Sequence, residues 1–317
     1  MGHTKPIIWK IHSHFYTQMK QSIFYKASQS PPTTSGFPRV LLVNRQTMLS
    51  STLLIALSIF GSSQHVSAEI VGSIEATLTR QTGAHGPALA AQTARLLGWK
   101  GDVARHVYRG DKIRLAYTIE DVPQLLALEY DGLKIDVGAY SFKDKDGIRR
   151  YYDAQGKGIE PAIKSSPLAN YDQITEVPQR GRGKRRHSGV DFKAATGTAI
   201  RMPFNGRINR VNWSTRVNGR CIEVIFPSGK KARFLHLNTV DKGVKAGRTL
   251  KAGAPLGTVG STGRSGGPHL HYEILSPAGK VLNPLDIHGT RPFFIAPALK
   301  KSFQAKVKAY RGSLKGY

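Results

Sequence analysis

Four segments in the second half of this 317-residue chain carry side chains that can hold a metal and move protons. They are His187-Ser-Gly-Val-Asp191, Phe234-Leu-His236-Leu, the glycine-rich Gly260-Ser-Thr-Gly263 and Gly267-Pro-His269-Leu-His271-Tyr-Glu273. Side chains two apart on a strand point to the same face. A strand over residues 269–273 therefore projects His269 and His271 together and sends Leu270 and Tyr272 into the core. The same parity puts His187 with Asp191, and Phe234 with His236. Catalytic zinc takes three protein ligands from His and carboxylate and keeps one position for water, whose pKa falls to about 7. Two His and one Asp as ligands leave two His for proton transfer and oxyanion stabilisation. Each segment alone is unspecific, because HxH and HxxxD arise by chance. The weight lies in their convergence: four of the chain's eleven His join one of only five acidic residues beyond position 178. Cys221 is the only cysteine. An internal disulfide and a Cys-rich zinc site are thereby excluded, and the strand-like run around Cys221 reads as core. His85, His106 and His288 lack ligand spacing and read as structural or exposed.

Short apolar segments punctuated by Gly and Pro must position these residues. Residues 200–203, 206–211, 222–226, 232–237, 256–259 and 269–274 have that form, which argues for an antiparallel sheet over 179–288. Before it, residues 69–178 read as an α+β accessory domain. A short helix over 87–97 ends at Gly98. Strands follow over 112–119, 125–130, 137–142 and 148–152, the last two paired across Asp146-Gly147. Residues 289–317 read as a basic C-terminal tail of weak helical character.

Charge is unevenly spread. The formal net charge is +27. Residues 69–178 hold 14 basic and 15 acidic side chains, whereas residues 179–317 hold 27 basic and 5 acidic. Such a half seeks a polyanion. The run containing Arg182, Lys184, Arg185 and Arg186 lies directly before His187 and is the candidate for contact with substrate or wall. Residues 48–68 have the layout of a secretory leader: Arg45 upstream, an apolar run from Leu53 to Phe60, and a small-residue cleavage site at Val66-Ser67-Ala68. The run is well short of the about 20 residues that span a bilayer, so no stable membrane span is expected after cleavage. Residues 1–47 form an extension ahead of the leader, as if translation began at Met48. Export, to the periplasm, the cell envelope or beyond, argues against nucleic acid as the polyanion.

In these residues the chain resembles the lysostaphin-type (LytM-like) zinc endopeptidases of peptidoglycan. The match runs through His187-Ser-Gly-Val-Asp191-Phe, Gly197-Thr-Ala-Ile, Asn205-Gly206 and Phe234-Leu-His236-Leu. It continues through Gly257-Thr-Val-Gly-Ser-Thr-Gly263 and Gly267-Pro-His269-Leu-His271-Tyr-Glu273 to Asn283-Pro284. The resemblance implies a mainly β, antiparallel catalytic domain of the duplicated hybrid motif type. It implies one Zn2+ held by His187, Asp191 and His271, with His236 and His269 as catalytic, non-ligand histidines. Glu273 is a candidate to hold a ligand His from behind, as ligating His usually donates its second N–H to an acceptor; a plain strand-end carboxylate is the other reading. The implied substrate is peptidoglycan, cut at D-alanyl–diamino acid bridges, with pentaglycine bridges as the alternative, and anionic wall or envelope polymers are further partners. Relatives that have lost one of the five residues act as regulators, so a non-enzymatic wall-binding regulator of other murein hydrolases is the competing function. A polyanion-binding protein with an incidental His cluster is a third. Before His187 the sequence departs from the family: QRGRGKRR stands where a longer loop is usual, which implies a lower, more basic groove wall. The stretches Thr82-Gly83 to Leu97-Gly98-Trp99, Gly110-Asp111 and Tyr151-Tyr-Asp-Ala-Gln-Gly156 resemble the accessory domain of exported relatives.

Overall fold

The computed structural model of the protein describes residues 63–177 and 187–315. The extension at 1–47, the apolar part of the leader, and Arg182, Lys184, Arg185 and Arg186 lie outside the described residues. Among the described residues no helix is long and apolar enough to cross a membrane.

The first half builds an antiparallel five-stranded sheet in sequence order: β1 (Gln64–Glu69), β2 (Lys112–Ile119), β3 (Pro123–Asp131), β4 (Asp136–Lys143) and β5 (Arg149–Tyr152). Between β1 and β2 run α1 (Ile74–Thr82), α2 (Gly86–Leu97) and the short α3 (Val103–His106). The Ser73 hydroxyl caps α1 by accepting the Ala76 N–H at 3.0 Å. Leu78, Leu89, Leu96 and Leu97 from these helices pack on Ile113, Leu115, Leu125 and Leu128 of the sheet. The turn between β4 and β5 passes through Gly147 at φ +76°, a conformation glycine adopts without strain.

The sheet begins earlier than residue 69. Residues 64–69 pair along β2 from Gln64↔Tyr117 to Glu69↔Lys112, and Val66 is buried in the core. The small-residue motif Val66-Ser67-Ala68 is therefore the middle of an edge strand. A cut after Ala68 would remove all of β1 except Glu69 and expose the edge of β2.

The second half builds a ten-stranded antiparallel sheet. Its strands are β7 (Gln173–Glu176), β8 (Val190–Lys193), β9 (Ala199–Arg201), β10 (Gly206–Val211), β11 (Arg220–Ile225), β12 (Lys231–Val240), β13 (Thr249–Leu250), β14 (Pro255–Val259), β15 (His269–Leu275) and β16 (Val281–Leu282). The main order is β13-β10-β11-β12-β15-β8-β7, with β14 bridging β12 to β9 and β16 on β15. Two short helices, α4 (Thr215–Asn218) and α5 (Pro284–His288), interrupt the strands, and a small ladder joins β6 (Ala162–Ile163) to β17 (Thr290–Arg291). Val190, Phe192, Ile222, Val224, Phe234, Leu237, Leu270 and Tyr272 fill one core. The unit built on this sheet starts before residue 179: β7 pairs with β8, and Ile163, Leu168 and Ile174 belong to this core.

Residues 300–315 are not a tail but a packed helix. α6 (Lys300–Lys315) lies on the face of the first sheet opposite α1 and α2, burying Phe303, Val307, Tyr310 and Leu314 against Ala116, Leu126, Ala127, Tyr140 and Tyr152. Their spacing of four, three and four residues is the apolar stripe of a helix; six Lys/Arg interleaved with it set the charge but not the packing. The accessory domain is thus a helix–sheet–helix sandwich closed by the other end of the chain. Phe303 is 1% exposed and meets Phe142 and Tyr152 edge-on at 5.5 and 5.6 Å. Phe303→Ala should lower the stability of this domain by about 3–5 kcal/mol, read by urea denaturation followed by circular dichroism. A change below about 1 kcal/mol would mean that α6 does not hold the sandwich together.

Candidate metal centre

β8 and β15 lie side by side with Asp191 directly opposite His271. Leu270 and Tyr272 point into the core at 0% exposure, which leaves His269 and His271 on the opposite face. His187 sits just before β8. Its Nε2 is 3.3 Å from Asp191 Oδ1, and His271 Nδ1 is 2.7 Å from the same oxygen. The His187 and His271 rings meet edge-on with centroids 4.8 Å apart. Gly189 permits this: a Cβ there would lie 2.6 Å from the Tyr272 carbonyl and 2.9 Å from His271 Nε2.

His236 reaches the same face by a different route. Parity from Phe234 would put it in the core, where Phe234 lies at 0% exposure. Instead β12 carries one residue more than β11 between the pairs Ile222↔Phe234 and Arg220↔Leu237. His236 takes up that extra residue with φ +67°. The bulge leaves both Phe234 and Leu237 in the core and turns His236 toward His269, ring centroids 4.8 Å apart. A non-glycine residue held in this region costs about 1–3 kcal/mol, and bulges of this kind re-aim side chains beside active sites.

The ring nitrogens of the two remaining histidines are set by main-chain carbonyls. His236 Nδ1 is 2.9 Å from the Thr262 carbonyl oxygen and His269 Nδ1 is 2.8 Å from that of Gly267. A carbonyl only accepts, so Nδ1 carries the proton in both rings and Nε2 keeps its lone pair. His269 Nε2 is 3.8 Å from Asp191 Oδ2, facing the cluster. The glycine-rich turn supplies the Thr262 carbonyl. Gly263 packs so tightly that a Cβ would lie 2.2 Å from the Gly219 nitrogen.

Electrostatics follow from burial and neighbours. Burial opposes ionisation of Asp191, but the imidazoles of His187 and His271 outweigh it and hold the carboxyl far below the usual range. Burial works against charge on His271, yet Asp191 and Glu273 raise it to about 9. Burial pushes His236 down to about 4 despite the Thr262 carbonyl.

His187, Asp191 and His271 offer ligand atoms that lie within 4.8 Å of one another. His187 Nε2 is buried and has no hydrogen-bond partner. A buried imidazole nitrogen left unpaired is costly, and a metal ion in this cluster would satisfy it. Two imidazoles and a carboxylate are the donor set of catalytic zinc sites that keep a position open. Glu273 stands behind: its Oε1 is 3.1 Å from His271 Nε2 and also accepts from the Ser188 hydroxyl. Sequence reasoning did not single out Glu176, whose Oε2 lies 3.5 Å from His187 Nδ1. Parity would put Ile174 and Glu176 on one face; they part because the β7–β8 register is irregular between them, which nothing local in the sequence announces. Of the other residues, Cys221 is buried and free. His288 is buried behind the site, 3.0 Å from the Tyr272 hydroxyl and stacked on Phe204.

A metal centre of two His and one Asp on an antiparallel sheet, with two further His alongside, defines a metallopeptidase type of site. Residues 185–284 match the model of peptidase family M23. Similar proteins include peptidoglycan DD-endopeptidase ShyC of Vibrio cholerae, 28% identical over 240 residues, 71% of this chain and 53% of the relative. Peptidoglycan DD-endopeptidase ShyA of the same organism is 26% identical over 222 residues, 65% of this chain and 50% of the relative. The solved structure of Helicobacter pylori Csd3 is 22% identical, covers 80% of this chain and 68% of its own, and has a TM-score of 0.37. The chain spans about half the length of these two endopeptidase relatives.

Proposed function

We propose that the chain is a zinc-dependent endopeptidase that hydrolyses peptide cross-links of bacterial peptidoglycan, at D-alanyl–diamino acid bridges. The observation that carries the reading is the buried His187 Nε2, which makes no hydrogen bond and faces Asp191 and His271, beside two histidines whose Nε2 atoms are free to exchange protons. The two relatives named as peptidoglycan DD-endopeptidases support the substrate class.

His187 Nε2, an Asp191 oxygen and His271 Nδ1 would hold the ion. Zinc in such a site acts as a Lewis acid and lowers the pKa of water to about 7. Asp191 remains ionised and so keeps its negative charge in the site. His236 is held neutral by burial, and its Nε2 can accept a proton from water. His269, with Nδ1–H tied to the Gly267 carbonyl, presents an Nε2 that can take up a proton, and in that form can stabilise the developing oxyanion and then pass the proton to the leaving amine. The retention of all five residues favours an enzyme over a wall-binding regulator.

The setting is extracytoplasmic, at the periplasm or cell envelope, since peptidoglycan lies there. A leader would be removed before Gln64, so that β1 stays with the domain. The net charge of residues 179–317 supports electrostatic attraction to stem-peptide carboxylates and to anionic envelope polymers. The test is digestion of purified peptidoglycan of known cross-link, with mass analysis of the products. Cleavage of the D-alanyl–diamino acid amide is the expected result; cleavage only of glycine–glycine bonds, or of glycan bonds, would refute this assignment.

A further inference from the structure

Behind the metal centre one row of charged side chains crosses four strands. Arg210 on β10 stands opposite Glu223 on β11, Glu223 opposite Arg233 on β12, and Arg233 opposite Glu273 on β15. The contacts follow that register. Arg210 Nη2 and Arg233 Nε donate to Glu223 Oε2 at 2.9 and 2.7 Å, and Asn209 Nδ2 donates to Glu223 Oε1 at 2.6 Å. Arg233 Nη1 donates to Glu273 Oε2 at 3.2 Å, and the other oxygen of Glu273 faces His271 Nε2 at 3.1 Å. Arg210 is fixed in turn over the Trp213 ring, 4.2 Å from its centroid.

The signs alternate along the row, so the two buried carboxylates, Glu223 at 2% exposure and Glu273 at 7%, are each paired. A buried carboxylate without such pairing is strongly unfavourable. Both oxygens of Glu273 are engaged, Oε2 by Arg233 and Oε1 by His271 and Ser188. Its carboxylate plane cannot turn without breaking one of these bonds. An acceptor fixed at Nε2 makes His271 a donor there and turns Nδ1 toward Asp191 and the ligand cluster, where a bound metal would take the place of the proton that Nδ1 shares with Asp191.

We infer that Arg233, backed by Glu223, is a positioning residue for the metal centre: it fixes Glu273 so that His271 presents Nδ1 to the metal. The inference rests on reading His187, Asp191 and His271 as the ligands. Arg233 acts through a fork, with Nε serving Glu223 and Nη1 serving Glu273. A lysine ammonium keeps the charge but not that two-point geometry.

The experiment measures zinc affinity of the full chain by competition with a chromophoric chelator, together with the melting temperature of the zinc-free protein. Loss of an outer partner of a metal ligand typically weakens binding about 10–100-fold. Arg233→Lys should weaken zinc by roughly tenfold. In a Glu273→Gln background the same change should have no further effect, because Arg233 reaches His271 through Glu273. Glu223→Gln, nearly isosteric, should weaken zinc in the same direction and serves if Arg233→Lys does not fold. Wild-type affinity in Arg233→Lys or Glu223→Gln, even with a lowered melting temperature, would overturn the inference. So would equal losses in the presence and absence of Glu273. Asp191→Ala separates the two levels: if it binds zinc as tightly as wild type, the ligand assignment itself fails.

Discussion

His236→Ala and His269→Ala should each retain zinc and lose nearly all turnover. Both rings have Nδ1 committed to a carbonyl, of Thr262 and Gly267, so each has one working nitrogen. His236 does not contribute to the cluster of candidate ligand atoms, nor does His269. Removing a positioned proton donor or acceptor costs about 10²–10⁴-fold in rate, and removing an oxyanion donor about 10²–10³-fold. The double variant should fall by less than the product of the two, because residues that act as a unit are non-additive. The readout is kcat on a soluble cross-linked muropeptide, with zinc content measured on the same samples. A zinc-free His269→Ala protein would mean that His269 and His271 have exchanged roles.

Asp191→Ala should remove zinc together with activity. The carboxylate lies between the two imidazoles, 2.7 Å from His271 Nδ1 and 3.3 Å from His187 Nε2. Its loss takes away the only negative charge among the three ligands and the hydrogen-bond partner of His271 Nδ1. Three-ligand zinc sites with two protein donors left bind poorly, so the metal content after dialysis should fall from about one equivalent to near zero. His187→Ala should do the same. Asp191→Asn keeps the shape but not the charge and should fall between. Elemental analysis of the dialysed proteins decides this; equal zinc in wild type and Asp191→Ala would remove the site from residues 187–271.

The β framework was legible because its strands alternate. Residues 112–119 and 206–211 were read from the sequence alone and coincide with β2 and β10. The same parity rule read the Leu270 and Tyr272 side of β15 correctly, and it failed for His236. A bulge exists only as a mismatch between two strands, so nothing local to Phe234-Leu-His236-Leu announces it. β7 was assigned to the wrong domain because it is four residues long and borders a basic run that reads as a linker. Glu176 was lost with it. α6 was readable in principle, since Phe303, Val307, Tyr310 and Leu314 keep a helical period; the lysines between them drew attention to charge. The row from Arg210 to Glu273 was not readable, because it depends on the pairing register of four strands. Motif spacing identified the five histidine and aspartate residues, but only the tertiary structure shows which nitrogen of each ring is free.

We propose that one zinc ion at His187, Asp191 and His271 drives hydrolysis of peptidoglycan cross-links. The most direct test is to strip the full-length protein with chelator, add zinc back in measured equivalents, and follow release of cross-link cleavage products from purified peptidoglycan. Hydrolysis should vanish in the stripped protein, return in proportion to added zinc and level off at about one equivalent per chain, as a single three-ligand site requires. Full activity in the stripped protein, or no return of activity on adding zinc to a folded chain, would contradict it.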